Sequence, residues 1–333
     1  MSLFVAVIFL VLGLAVLWKC AELLVAGAVG LAQRLGVSPL VVGLTVVAMG
    51  TSAPEVAASI AAALRDMGDT AVGNVYGSNI ANLALVGGLA ALIRPIQVRL
   101  TTLRREIPVM LLVALLLWPI LHNLSLSRLE GIALLAVFVA LIAATAYLAR
   151  REQQANAHIV STAARELREA EAIAAEGLKL CLPFVAVGLL GLAVGADMAV
   201  RGAVVIGRQL GLSDAVIGLT IIAVGTSLPE LATCVVAAIK SQHDISVGNL
   251  VGSNIFNTLL VVGAAGLVRP FKVTPRLTAV EWTSDYWIMI VVSAAFTVAI
   301  LLGRRILKRP AGVVLLCCYL VYVIYLFVWT RAM

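Results

Sequence analysis

Two carboxylates stand where so apolar a chain should not tolerate them. Glu55 follows Gly50-Thr51-Ser52-Ala53-Pro54 and Glu230 follows Gly225-Thr226-Ser227-Leu228-Pro229, each inside a hydrophobic stretch with no Lys or Arg within one helical turn. An ionised acid at the centre of a bilayer costs at least about 2.5–3.5 kcal/mol on insertion scales, so such a residue faces a protein interior or a wet cavity and serves a function there. The proline ahead of each glutamate removes one helical hydrogen bond and collides with the carbonyl one turn back, that of Gly50 or Gly225. The sequence Gly-Thr-Ser-x-Pro-Glu therefore opens a helix at membrane depth and frees carbonyl oxygen beside a carboxylate. Helical spacing puts Ala48, Thr51, Ser52 and Glu55 on one face, and Asn74, Ser78 and Asn82 on one face of the next helix. Carboxylate, hydroxyl, amide and carbonyl oxygens on facing helices make an all-oxygen cage. Hard cations such as Ca2+ take about six to eight such ligands and pass over nitrogen and sulfur.

These residues occur twice. A shift of 175 residues aligns 36–96 with 211–271 without a gap at about half identity. Val72-Gly73-Asn74 meets Val247-Gly248-Asn249, Gly77-Ser78-Asn79-Ile80-Ala81-Asn82 meets Gly252-Ser253-Asn254-Ile255-Phe256-Asn257, and Arg94-Pro95 meets Arg269-Pro270. One copy could be a kinked helix whose hydroxyls satisfy themselves. Two copies, each with an acid and a downstream Ser-Asn-Ile-x-Asn, favour a shared site.

The elements that position these residues follow from composition. Of 333 residues, 62% are hydrophobic and 12% charged, against a globular norm of about 45–50% and about 25%. Apolar stretches of spanning length recur, at about 3–33, 38–64, 70–93, 106–122, 129–149, 179–208, 213–239, 245–268, 285–303 and 311–330. Strand periodicity is absent, and lipid demands that each segment satisfy its own backbone. The expected fold is an all-α polytopic membrane protein of ten transmembrane helices. Five helices per repeat force the second half to enter from the opposite face, giving two inverted five-helix repeats with the site at their interface. Residues 1–150 form the N-terminal repeat around motif 43–82, 151–178 a connector, and 179–333 the C-terminal repeat around motif 218–257. With the N-terminus outside, fifteen Lys and Arg fall in or beside cytoplasmic connections and seven outside, which places both termini outside and the connector in the cytoplasm. Topology thus explains the net charge of +7 without a nucleic-acid partner. The connector stretch from Ala163 to Glu176 reads as a polar, Ala-rich helix lying in water or on the membrane surface.

Other polar residues carry less. Cys20, Cys181, Cys234, Cys317 and Cys318 form no CxxC pair, and His122, His158 and His243 form no cluster, so no cofactor is expected. Lys19 and Glu22 lie three apart, and Asp197 and Arg201 four apart, which allows local neutralisation of both acids. There is no serine, histidine and aspartate set and no nucleotide loop, so the chain is not read as an enzyme.

The paired Gly-Thr-Ser-x-Pro-Glu and Gly-Asn-x-x-Gly-Ser-Asn-Ile-x-Asn motifs closely resemble the two α-repeats of the sodium/calcium exchanger branch of the Ca2+:cation antiporter superfamily. The resemblance implies secondary active exchange of Ca2+ for Na+ across the plasma or inner membrane, by alternating access, with the long first and sixth helices sliding as a pair past the other eight. It implies cation ligands at Glu55 and Glu230, supported by Thr51, Ser52, Ser78 and Asn82, by Thr226, Ser227, Ser253 and Asn257, and by the carbonyls of Ala48 and Ala223. No obligate protein partner is evident in the sequence. Relatives often carry aspartate where this chain has Asn257, which leaves the coupled ion open. An H+-coupled or K+-dependent Ca2+ exchanger is the alternative, and a passive cation channel fits less well because the site is complete in one chain.

Overall fold

The computed structural model describes the backbone of residues 1–160, 164–211, 217, 221, 223–278 and 284–332, and the side chains of these except 150, 152–180, 223, 276, 327 and 329–332. The chain is helical where it is apolar. Helix α1 (Leu3–Leu35) starts at Ser2, whose hydroxyl accepts from the Val5 amide, and stops at Gly36, whose φ of 64° is left-handed, a conformation glycine adopts at no steric cost. Helices α2 (Pro39–Thr51) and α3 (Ala53–Leu64) meet at a 43° bend. They are followed by α4 (Gly68–Ile93), α5 (Glu106–Leu121), α6 (Arg128–Val160) and α7 (Ala164–Gln209). The second half continues with α8 (Ala223–Thr226), α9 (Leu228–Ile239), α10 (His243–Val268), α11 (Asp285–Leu302) and α12 (Arg309–Ala332).

Among the described residues, seven helices are long and apolar enough to cross a bilayer, and the bent pair α2–α3 makes an eighth. Each of the ten apolar segments has a helical counterpart, but ten full crossings are not seen: α5 has 16 residues and α9 has 12. Most of the stretch leading into α9 lies outside the described residues. The connector is helical as expected, and the helices on either side extend into it: α6 runs on to Val160, and α7 begins at Ala164 and continues unbroken into the sixth apolar segment, because Ala, Leu, Glu and Arg propagate a helix through a polar stretch.

Four two-residue strands, too short to leave a periodic trace in the sequence, report how the halves are joined. Strand β1 (Ile96–Gln97) pairs antiparallel with β4 (Ile306–Leu307), and β2 (Ser125–Leu126) with β3 (Phe271–Lys272). Helix α5 separates β1 from β2 and α11 separates β3 from β4, so the two ribbons sit at opposite ends of the bundle. The connection after α4 therefore shares a face with the one after α11, and not with its repeat counterpart after α10. The second half is inserted upside down relative to the first.

Arginines brace the same crossings. Arg94 donates to the carbonyl of Ile239 at 2.7 Å, and Arg269 donates to the carbonyl of Leu64 at 3.0 Å. The 175-residue shift maps each bond onto the other. Arg99 pairs with Asp244 at 2.6 Å and Arg269 with Asp66 at 2.5 Å.

Helices α1 and α7 pack on each other along much of their length through small residues, the device by which helices approach closely in lipid. A Cβ at Gly13 would lie 2.6 Å from the Ala199 amide nitrogen and 2.7 Å from the Gly195 carbonyl oxygen. A side chain there must push the pair apart, at a cost of about 1–3 kcal/mol. Gly13→Leu is therefore expected to lower the unfolding midpoint in detergent by several degrees, measured beside Ala26→Leu on the exposed side of the same helix, which should leave it unchanged.

Candidate functional site

The bend at Ser52 forms the first half of the site. Pro54 occupies the first turn of α3, where its missing N–H is not needed, and Ser52 precedes that turn in the position of an N-cap. Its hydroxyl does not cap the helix; it donates across the molecule to Glu230 Oε1 at 3.3 Å. Ser227, Pro229 and Glu230 repeat the arrangement at the start of α9. Both glutamates thus sit in the first turn of a helix, where the positive end of the macrodipole offsets about 0.3–1 kcal/mol of the cost of a carboxylate. Both are fully buried.

The second layer comes from α4 and α10. Ser78 donates to Glu55 Oε1 at 3.5 Å. Asn82 and Asn257 lie on π-helical turns, Ala81–Val86 and Asn257–Val261; such turns recur at functional sites. Of the residues expected in the site, Ala48, Thr51, Ser52, Glu55, Ser78, Asn82, Ser227, Glu230, Ser253 and Asn257 are all buried. Thr226 is half-buried at the end of α8, the helix that begins at Ala223, whose side chain lies outside the described residues.

Partner bookkeeping sets this cluster apart. Glu55 Oε2, Glu230 Oε2, Ser227 Oγ, Ser253 Oγ and both polar atoms of the Asn82 and Asn257 amides are buried without a hydrogen-bond partner in the protein. Each such atom costs about 1–3 kcal/mol, more for a charged group. A cation bound beside the two glutamates would offer their unpartnered oxygens the partner that the protein does not.

Two of the expected groups already have protein partners. The Ala48 carbonyl accepts the Ser52 N–H at 3.0 Å, with Thr51 Oγ1 at 3.3 Å. The same hydroxyl lies 3.1 Å from Asn249 Oδ1, so turning to Asn249 releases the hydroxyl's claim on Ala48. Asn74 shares with Ser78 the face of α4 turned to Glu55. It donates to the Glu55 carbonyl and to Ser59 Oγ, at 3.3 and 2.9 Å, tying α4 to α3 just behind the carboxylate. Asn249 repeats this brace on α9 by donating to Cys234 Sγ at 3.3 Å. The repeat shift relates Asn74 to Asn249 and Ser59 to Cys234, and that was the sequence signal for these bracing residues. Glu22 and Asp197 stand apart from the site, paired with Lys19 at 3.0 Å and Arg201 at 2.8 Å.

Two inverted halves, each delivering a buried carboxylate and a set of oxygen donors to one central cluster, define a membrane transporter for hard cations. The chain belongs to the sodium/calcium exchanger family, whose pattern matches residues 5–147 and 181–328. It is 40% identical to the inner membrane protein YrbG of Escherichia coli over 92% of both chains. It is 33% identical to the sodium/calcium exchanger MaX1 of Methanosarcina acetivorans over 96% of this chain and 98% of that one. The solved structure of the sodium-calcium exchanger NCX_Mj at zero Na+ and Ca2+ superposes with a TM-score of 0.79 at 27% identity, covering 96% of this chain and 98% of the other.

If the unpartnered oxygens form a cation site, ligation stabilises the folded state by mass action, about 2.7 kcal/mol at a concentration 100-fold above the dissociation constant. Purified protein should unfold about 5 °C or more higher in saturating Ca2+ than in chelator, by intrinsic fluorescence. Glu55→Gln and Glu230→Gln should each lose that increment.

Proposed function

We propose that the chain is a secondary active antiporter exchanging Ca2+ for Na+ through one central site held by Glu55 and Glu230. The observation that carries the reading is the pair of buried glutamates, one from each inverted half, each with a carboxylate oxygen lacking any protein partner. Two bare negative charges cannot be moved through a low-dielectric layer without several kcal/mol of penalty. The protein therefore changes access only when the pair is neutralised. One Ca2+ does this, and so do two Na+, and the two loads compete for the same oxygens. Competition at a site that cannot reorient unloaded is what makes the exchange obligatory. The hydroxyls of Thr51, Ser52, Ser78, Thr226, Ser227 and Ser253 and the amides of Asn82 and Asn257 complete the shell, with the Ala48 and Ala223 carbonyls as further donors.

Two protons also neutralise two carboxylates, so H+ coupling is the second reading of the same geometry. Imposing Na+, K+ or H+ gradients one at a time on proteoliposomes and following 45Ca2+ uptake separates them; Na+ alone is expected to drive uptake. Glu55→Gln and Glu230→Gln should each abolish it while leaving folded yield normal, because removing a charge from membrane depth eases insertion.

Asparagine at 257 leaves two carboxylates and no third among the proposed ligands. A two-for-one cycle then moves little net charge, and each net charge would be worth about 2.3 kcal/mol per 100 mV. Na+-driven Ca2+ flux is accordingly expected to change little when the potential is clamped with K+ and valinomycin, once K+ transport has been ruled out. A steep dependence on the clamped potential would reject the stoichiometry.

The basic residues orient the protein with the α6–α7 connection in the cytoplasm of an inner-membrane protein and both termini outside. A cysteine at position 160, in an otherwise cysteine-free chain, should resist an impermeant reagent on intact cells and react after the membrane is opened.

A further inference from the structure

The two ends of the bundle are built from matching parts that close differently. At one end the β2–β3 ribbon lies directly on the start of α4. Asp69 accepts the Thr274 N–H at 2.7 Å, and Gly68 is so close to the ribbon that a Cβ there would run into the Lys272 carbonyl oxygen. The 175-residue shift relates Gly68 to His243, Asp69 to Asp244 and Thr274 to Arg99 at the other end. An imidazole stands there in place of the glycine that lets the backbones touch. Asp244 pairs with the Arg99 side chain at 2.6 Å, where Asp69 takes a backbone amide. The β1–β4 ribbon is thus set off from α10 by the length of side chains, and a cleft of about 550 Å³ opens between it and the turn from α9 to α10.

Arg99, Arg304 and Arg305 line this cleft, with Asp244 as the one acid among its lining residues. Arg99 is engaged by Asp244, but the Arg304 and Arg305 guanidinium groups have no hydrogen-bond or ion-pair partner among the described residues. Both residues hold left-handed backbone, at φ of 55° and 69°, which glycine and asparagine adopt more readily than arginine. The ribbon does not require them. At the other end Asn123 and Leu124 precede β2, and the Leu124 carbonyl accepts the Val273 N–H at 3.0 Å just as the Arg305 carbonyl accepts that of Val98 at 2.8 Å. The two arginines follow Leu301 and Leu302, which are 54% and 79% exposed at the end of a helix of spanning length. An apolar, lipid-facing shelf therefore runs directly into a basic cleft. The first turn of α10 also meets it, with no side chain capping its amides, which favours negative charge there.

We propose that this cleft binds a phosphate group, supplied by the headgroup of an anionic phospholipid whose acyl chains lie on Leu301 and Leu302. Guanidinium groups match phosphate oxygens with paired donors, and basic pockets between helix ends suit acidic headgroups. Asp244 does not oppose the ligand, since Arg99 neutralises it. The shelf favours lipid over a free anion, because soluble phosphate gains nothing from apolar surface. The site is separate from the central carboxylates and does not depend on which ion they carry.

The test uses the full-length protein in mixed micelles of detergent and phosphatidylcholine, to which phosphatidylglycerol is added. Retained lipid is counted by native mass spectrometry, and the unfolding midpoint is recorded. One phosphatidylglycerol should be retained per chain, and the midpoint should rise. Arg304→Asn with Arg305→Asn should unfold no earlier than the parent in phosphatidylcholine alone, because asparagine eases the left-handed backbone. It should weaken retention roughly 30-fold, each basic residue near a membrane surface being worth about fivefold in affinity for acidic lipid. Arg304→Gln with Arg305→Gln, which keeps long side chains, should lose retention alike. Arg104→Gln with Lys308→Gln removes the same charge from exposed positions of that end that do not line the cleft, and should leave retention nearly unchanged. Equal losses in the cleft and control variants would mean diffuse attraction and overturn the site, as would no preference of the parent for phosphatidylglycerol over phosphatidylcholine. Inorganic phosphate and pyrophosphate, added without phosphatidylglycerol, form the second arm, and neither should shift the midpoint. A rise that the asparagine variant abolishes would assign the cleft to a soluble phosphate and reject the lipid.

Discussion

Everything in this fold answers to the repulsion between two negative charges that meet where water is scarce. Glu55 and Glu230 come from opposite halves, yet Ser52 of the first half donates to Glu230 of the second, while Ser78 donates to Glu55. Helix breaks at Ser52 and Ser227 point two helix N-termini at that spot. The π turns in α4 and α10 bring Asn82 and Asn257 to it without ending their helices. Each device eases the charge in part, and the oxygens still lacking partners show that the protein alone does not finish the task.

The scaffold around the pair is stiff where the halves cross. Arg94 and Arg269 strap the ends of α9 and α3 to the opposite half by matched bonds, and the two short ribbons close the connections at both ends of the bundle. Against this frame α1 lies on an apolar face of α9, with the exposed Glu22–Lys240 pair as its ionic attachment. The two kinds of contact differ by residue type: guanidinium bonds to backbone join the halves, and small apolar residues join α1 to α7.

Much of this was legible in the chain because the sequence says it twice. The repeat fixed which polar residues belong together, and a carboxylate behind a proline at membrane depth had few structural explanations. What escaped notice was set by short-range geometry. Two-residue strands have no period to detect. Asn74 carries the right type at the right spacing for the site, but the Glu55 carbonyl and Ser59 are nearer partners, and only coordinates reveal that choice. Ser52 occupies the N-cap position of α3, yet its hydroxyl turns to Glu230, a tertiary partner that spacing does not reveal. The connector's helix is legible from its Ala, Leu, Glu and Arg, but its continuity with the apolar segment after it is not, because helix propensity is indifferent to the change of polarity there.

The two ribbons also bear on how such a molecule could have arisen. Every strand finds its partner in the opposite half, and so does each bracing arginine. A lone half would leave two strand edges unpaired at the membrane surface and a guanidinium without its carbonyl. Its only complementary surface belongs to a copy of itself inserted the other way up. A free-standing ancestor of either half would thus have needed to cross the membrane in both orientations and assemble as an antiparallel pair. A one-sided excess of basic residues could accumulate only once the two halves had become distinct sequences.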